Sequence, residues 1–207
     1  FIRRSFAGDP VYPAVVEELV PGVLTAAESE RIRERLWAAA KESERLGVPT
    51  RRIGLDPNEH NVRVFYLLER DAIFRELIQH PTAIEFVTGL LTSDFLISNF
   101  TANIALPGSK SMKLHSDQGI VVPEPWFDPW SINVIWCLND VDEENGATRY
   151  LPGSHRIRRA SELAPDARAR MTPFKASAGS IAVMDGRLGH TSGANVSKDR
   201  EGALLVG

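Results

Sequence analysis

From about residue 94 onward the chain is written in short apolar segments: DFLISNFTANIAL (94–106), SINVIWCLNDV (131–141), GSIAVMDG (179–186) and GALLVG (202–207). Each is rich in β-branched and aromatic residues and is separated from the next by Gly, Pro and Asp. Short runs of this kind with frequent turn residues fit a sandwich or barrel of short strands. Asp185-Gly186 adds a strong turn signal inside the third of them.

The first half reads differently. Thr25 followed three residues later by Glu28 forms a capping box, and Ile32, Leu36, Ala39, Ala40 and Leu46 recur at helical spacing, so an amphipathic helix is expected to run to about Leu46 and to stop at Gly47. Residues 48–61 carry Pro, Gly, Asp and Asn and read as a loop, and VRVFYLLE (62–69) reads as a strand. Asp71 is a plausible cap for DAIFRELIQH, and Pro81 suits the first position of a helix through Leu91. With no repeat, low-complexity segment or linker, the expected organisation is one domain over 1–207. A helical part covers about 1–93 and a β core about 94–207. The apolar run at the end reads as a strand cut short, so the core is expected to be truncated there.

Hydrophobic residues make up 43% of the 207, enough for a substantial core. A formal charge of −3 and a pI near 6.0 argue against a nucleic-acid binder, which ordinarily shows a basic excess. Basic residues are dispersed apart from HRIRR at 155–159. The single cysteine, Cys137, allows no intrachain disulfide, and no apolar run approaches the roughly 20 residues of a membrane span. The expectation is a cytoplasmic protein without nucleic-acid or membrane partners, in which the N-x-[ST] triplets at Asn99 and Asn195 are chance matches.

The chemistry concentrates in KLHSDQG (113–119). His-x-Asp alone is a weak signal. Here it follows a strand pattern, where β scaffolds present functional side chains. Residues two apart in extended chain also share a face, so His115 and Asp117 can reach one ion. A second histidine, His190, follows the strand SIAVMDG in a similar setting. Two histidines and a carboxylate from separate strands can form a facial triad, an arrangement suited to non-haem Fe(II).

The pieces LHSDQ, WCLNDVDEENGATRYLPGSHR and GRLGHTSGANVSKDR, in that order, make the sequence resemble the phytanoyl-CoA dioxygenase family of Fe(II)/2-oxoglutarate oxygenases over most of its length. The resemblance is strongest from Leu114 to Arg200. It implies a double-stranded β-helix (a cupin-like jelly roll) with N-terminal helices, and a metal site of His115, Asp117 and His190. It also implies 2-oxoglutarate as cosubstrate beside Fe(II) and O2. An arginine after the distal histidine would take the far carboxylate of 2-oxoglutarate, for which a planar guanidinium is suited. Arg200 matches that arginine, Ser192 an assisting hydroxyl, and Trp136 a tryptophan near the cosubstrate. Arg200 stands ten residues after His190, whereas the family arginine usually stands eleven after, and a one-residue shift in a strand exchanges its faces. A shorter preceding loop would restore the register. A halogenase is disfavoured, because related halogenases lack the carboxylate that Asp117 supplies.

Several residues complete the expectation. Asn103, on the strand before the site, is a candidate contact of 2-oxoglutarate. Gln118 faces substrate or makes a supporting hydrogen bond to the site. The loop VVPEPWFDPWS (121–131) brings Trp126, Phe127 and Trp130 as candidate contacts for an apolar small molecule. His155 is read as a turn residue, Asp185 likewise, and Arg156, Arg158 and Arg159 as a solvated face. The expected activity is hydroxylation or desaturation of a C–H bond, with 2-oxoglutarate converted to succinate and CO2. The alternatives are a non-catalytic jelly-roll binding module and a metal enzyme on the same scaffold that does not use 2-oxoglutarate.

Overall fold

A computed structural model describes residues 19–207. The first strand, β1 (Leu19–Val20), is followed by α1 (Ala26–Arg45), β2 (Asn61–Val64), α2 (Leu67–Arg70), α3 (Ala72–Ile78) and α4 (Pro81–Leu91). The second half contains β3 (Thr101–Ala105), α5 (Gln118–Val121), β4 (Ile132–Cys137), β5 (Arg149–Tyr150), β6 (Thr172–Pro173), β7 (Ile181–Asp185), β8 (His190–Thr191) and β9 (Gly202–Val206).

The strands form two antiparallel sheets, a six-stranded one in the order β1-β7-β4-β9-β3-β2 and a three-stranded one in the order β6-β5-β8. Two strands of the large sheet, β1 and β2, come from before residue 94, and β2 overlaps the run read as a strand. VRVFYLLE is extended only as far as Val64. Tyr66 turns into the left-handed region (φ 60°), and the rest becomes α2. The run is apolar throughout, and periodicity alone does not separate a buried strand from a buried helix in so short a stretch.

The helices begin where the sequence caps them. The Thr25 backbone N–H donates to Glu28 Oε2 (2.8 Å) and the Glu28 N–H donates to Thr25 Oγ1 (3.2 Å), the reciprocal capping box. The Asp71 carboxylate accepts from the Ile73 N–H (3.0 Å) at the start of α3, and Pro81 opens α4. Ile32, Leu36, Ala39 and Ala40 of α1 are buried. Leu46, expected on the same face, is half exposed just past the helix end.

Strand alternation gives the large sheet two faces. Val62, Val64, Ala102, Ile104, Val134, Trp136, Ala203 and Leu205 pack with the helices in the main core. Ile135, Cys137, Ala182, Met184 and Leu204 form a second core on the opposite face. Arg63, Asn103 and Leu204 lie side by side across β2, β3 and β9 on that second face. The period of two therefore decides which residues can reach the site described below.

Candidate metal centre

His115 and His190 are joined by their backbones. Each donates its N–H to the other's carbonyl, at 3.0 and 2.8 Å, so the HxD segment extends the small sheet as an isolated bridge against β8. Asp117 follows two residues on. The Ser116 hydroxyl and the Gln118 N–H both donate to the Gly186 carbonyl (2.8 Å each), which ties this turn to the end of β7. The segment carrying His190 is fixed from the other side. Its neighbour Gly189 donates to Ser154 Oγ (2.8 Å) and accepts from the Leu151 N–H (2.8 Å). The PGSH landmark thus holds the distal histidine, and it does so through Ser154, while His155 beside it is buried with Nδ1 unpartnered.

The side chains converge. One ligand atom from each of His115, Asp117 and His190 lies within 4.8 Å of the other two. His115 Nε2 is 3.6 Å from Asp117 Oδ1, and His190 Nε2 is 3.4 Å from Asp117 Oδ2. The Nδ1 atoms face backbone carbonyls, that of Lys113 at 2.8 Å and that of Leu188 at 3.0 Å. A carbonyl only accepts, so each Nδ1 carries the proton and each Nε2 keeps a lone pair directed at the common point. Burial lowers the pKa of His190, opposed by Asp117 and reinforced by His115, so the ring is neutral and able to ligate. Asn133 Nδ2 donates to Asp117 Oδ2 (2.7 Å) and fixes the carboxylate. The donor chemistry, two imidazoles and one carboxylate converging on one point, fits a divalent first-row metal with open positions. Among the described residues this is the one group of metal-ligating side chains so assembled.

Asn133 was not singled out by the sequence reading. The signal was present: on β4 it shares a face with Ile135, while Val134 and Trp136 face the helices. It is thus a polar residue on the site face of a largely apolar strand.

A cavity of about 1300 Å³ opens beside the three residues. The other expected site residues fall into two groups around it. Asn103 and Ser192 line it. Asn103 Oδ1 is buried without a partner, and Ser192 Oγ accepts from the Met112 N–H (3.2 Å). Trp130 lines it and is largely exposed. Gln118, Trp126 and Phe127 are directed elsewhere. Gln118 is buried, donating to the Asp128 carbonyl (2.9 Å) and accepting from the Trp130 N–H (2.8 Å), so it braces the 121–131 loop. Trp126 is buried with its indole N–H on the Val122 carbonyl (2.9 Å), and Phe127 lies under the Arg158 guanidinium (4.6 Å) away from the cavity lining. Trp136 borders the cavity from the helix-side core, its ring edge-on to His80 (5.6 Å), on the opposite face of β4 from Asn133.

Arg200 is also turned away. Its guanidinium pairs with Asp142 (2.7 Å) and Glu144 (2.9 Å) at the surface, and it is not part of the cavity wall. The cause is the loop before β9. Asn195, buried, donates to the Ala105 and Arg200 carbonyls (2.7 and 2.6 Å). The Ser197 hydroxyl accepts from the Arg200 N–H (3.2 Å), which closes the turn ahead of the strand. On β9 the cavity-facing positions are Gly202, Leu204 and Val206. Glu201, at the usual family spacing, faces Arg33 (2.8 Å). An arginine the sequence reading passed over does line the cavity. Arg63 of β2 stands opposite Asn103, and its Nη2 donates to Asp56 Oδ1 (2.7 Å) and contacts Met112 Sδ (3.6 Å). Its isolated position in VRVF gives no hint of this placement.

Two antiparallel sheets carrying a convergent two-histidine, one-carboxylate centre define a candidate mononuclear metalloprotein. Comparison with known proteins then identifies the lineage: residues 18–202 match the model of the phytanoyl-CoA dioxygenase (PhyH) family, and the chain belongs to that family. The dioxygenase af480 of Aspergillus fumigatus is 50% identical over 186 residues, which are 90% of this chain and 60% of that protein. The dioxygenase FUM3 of Gibberella moniliformis is 29% identical over 91% of this chain and 66% of its own length. The chain thus spans less than two thirds of af480. Among solved structures, HygX from Streptomyces hygroscopicus, with nickel and 2-oxoglutarate bound, superposes with a TM-score of 0.68 at 16% identity, covering 91% of this chain and 80% of HygX. AviO1 from Streptomyces viridochromogenes gives 0.69 at 21%, covering 90% and 85%. These likenesses establish a shared fold. No helix among the described residues is long and apolar enough to cross a membrane.

Proposed function

We propose that this chain is a non-haem Fe(II)/2-oxoglutarate-dependent oxygenase that hydroxylates or desaturates a C–H bond of an apolar small molecule. The observation that carries the reading is the convergence of His115, Asp117 and His190, with both Nδ1 atoms protonated by geometry and Asn133 holding the carboxylate. Membership of the family, and the nickel and 2-oxoglutarate named for HygX, support it. The two sheets are read as the walls of the jelly roll.

His115, Asp117 and His190 would hold Fe(II). When bound, the metal with 2-oxoglutarate and O2 supplies the oxidising power, and 2-oxoglutarate leaves as succinate and CO2. The protein's own residues bind, orient and exclude water. For the far carboxylate of 2-oxoglutarate we assign Arg63, the one arginine among the described cavity-lining residues, with Asn103 and Ser192 as hydrogen-bonding neighbours. Asp56 engages Nε and Nη2 of Arg63 and leaves Nη1 for a ligand. The apolar lining places the substrate, which is proximity and orientation.

Anaerobic titration with Fe(II) and then 2-oxoglutarate tests the reading. A weak visible charge-transfer band is expected. Iron binding without that band would mean a metal enzyme that does not use 2-oxoglutarate. Neither would mean a binding module.

A further inference from the structure

The open end of the cavity is apolar where a protein surface is ordinarily polar. Leu96 (90% exposed), Ile120 (82%), Val121 (60%) and Trp130 (65%) all line the cavity and face solvent. They come from two stretches far apart in sequence: the irregular segment before β3, and the continuous run of helix α5 and the 121–131 loop. Large apolar side chains brought together at one opening from two distant parts of the chain mark a binding surface.

Among the described residues, the exposed charged side chains lining the same opening have one sign. Asp94 and Asp128 are exposed and line the cavity. The one described lining arginine, Arg63, is buried deeper, is matched by Asp56, and on the reading above faces the cosubstrate. Arg158 lies over Phe127, outside the lining. The cavity of about 1300 Å³ includes space reaching Ala83, Ile84 and Val87 of α4 as well as the side facing His115, Asp117 and His190, and it has room for a bulky skeleton beside 2-oxoglutarate.

We infer that the substrate is a neutral molecule with an extended hydrocarbon skeleton, held at its outer end by Leu96, Ile120, Val121 and Trp130, and that anionic conjugates such as acyl-CoA thioesters are disfavoured by Asp94 and Asp128. An anionic group held at this outer end would lie beside two carboxylates with no cationic side chain among the described lining residues there, which costs affinity. The inference rests on the oxygenase reading only for which part of the cavity 2-oxoglutarate occupies.

The test is equilibrium binding to the whole chain under anaerobic conditions, with Nile red as a neutral apolar reporter. Displacement is followed with a steroid alcohol, its sulfate ester and palmitoyl-CoA. Nile red is expected to bind, and the alcohol to displace it at least about tenfold more effectively than the sulfate or the thioester. Leu96→Asp should weaken Nile red by about tenfold, in line with losing the apolar surface that Leu96 would bury against a bound ligand. Asp94→Asn combined with Asp128→Asn should narrow the alcohol–sulfate gap. Absence of Nile red binding, a sulfate or thioester that competes as well as the alcohol, or variants that change nothing would overturn the inference. The Fe(II)–2-oxoglutarate band is recorded on the same samples. If it forms while the dye experiments fail, this inference falls alone, and if it is absent the oxygenase reading falls whatever the dye does.

Discussion

Asp117 faces two imidazoles, and one of its oxygens is fixed by the amide of Asn133 at 2.7 Å. Without that bond the carboxylate is free to rotate off the common point. Asn133→Ala is therefore expected to lower Fe(II) affinity by roughly 10–100-fold while leaving the fold intact, as read by anaerobic metal titration. Wild-type affinity in the variant would show that Asn133 does not position the ligand. Arg63 and Arg200 make a second comparison. Arg200→Ala removes a surface pair and should barely change 2-oxoglutarate affinity. Arg63→Ala should weaken it strongly, but it also strands the buried Asp56, which for a pair of this kind costs about 3–5 kcal/mol of stability. The double variant Arg63→Ala, Asp56→Asn separates the two effects. Stability should return while cosubstrate affinity stays low, and affinity that follows Arg200 instead would reverse the assignment. Cys137 is buried and its thiol is pushed up to about 12 by burial, so it needs no role in the chemistry.

Helix and strand identity was legible wherever local chemistry settles it. The Thr25–Glu28 box, the Asp71 cap and Pro81 mark the starts of α1, α3 and α4, and β4, β7 and β9 all fall within segments marked by their branched and aromatic content. Legibility ended where tertiary pairing decides. Residues 94–100 are as apolar as a strand yet stay irregular, and VRVFYLLE divides between β2 and α2. In the site, the HxD pair and the distal histidine carry their own spacing and context. The placement of Arg63 depends on β2 pairing with β3, and the diversion of Arg200 depends on Asn195 reaching across to Ala105, neither of which is written locally. Gln118 belongs to this scale too, because its two hydrogen bonds tie α5 to the 121–131 loop. Gln118→Ala should raise amide hydrogen exchange across residues 122–131 and leave β4 protected, and unchanged exchange in the loop would deny it a bracing role.

At the scale of the whole molecule, the buried histidines couple stability to acidity. His190 and His155 are both held below the ordinary imidazole pKa of 6.5, chiefly by burial. The folded chain thus binds fewer protons than the unfolded chain as pH falls through that value, and the stability of the metal-free protein should decline there. The urea midpoint is expected to be lower at about pH 5.5 than at about pH 7.5, and a flat profile would mean that neither ring is buried in its neutral form. The wider architecture points the same way. One face of the large sheet packs against the helices, while the other, with the small sheet, carries the side of the cavity where His115, Asp117 and His190 converge.

The most direct test of the central claim is anaerobic Fe(II) binding stoichiometry in the wild-type chain beside His115→Ala, Asp117→Ala and His190→Ala. The account predicts one tightly held iron per wild-type chain and loss of that site in each of the three variants. Tight stoichiometric iron persisting in all three, or none in the wild type under conditions where it is folded, would contradict it.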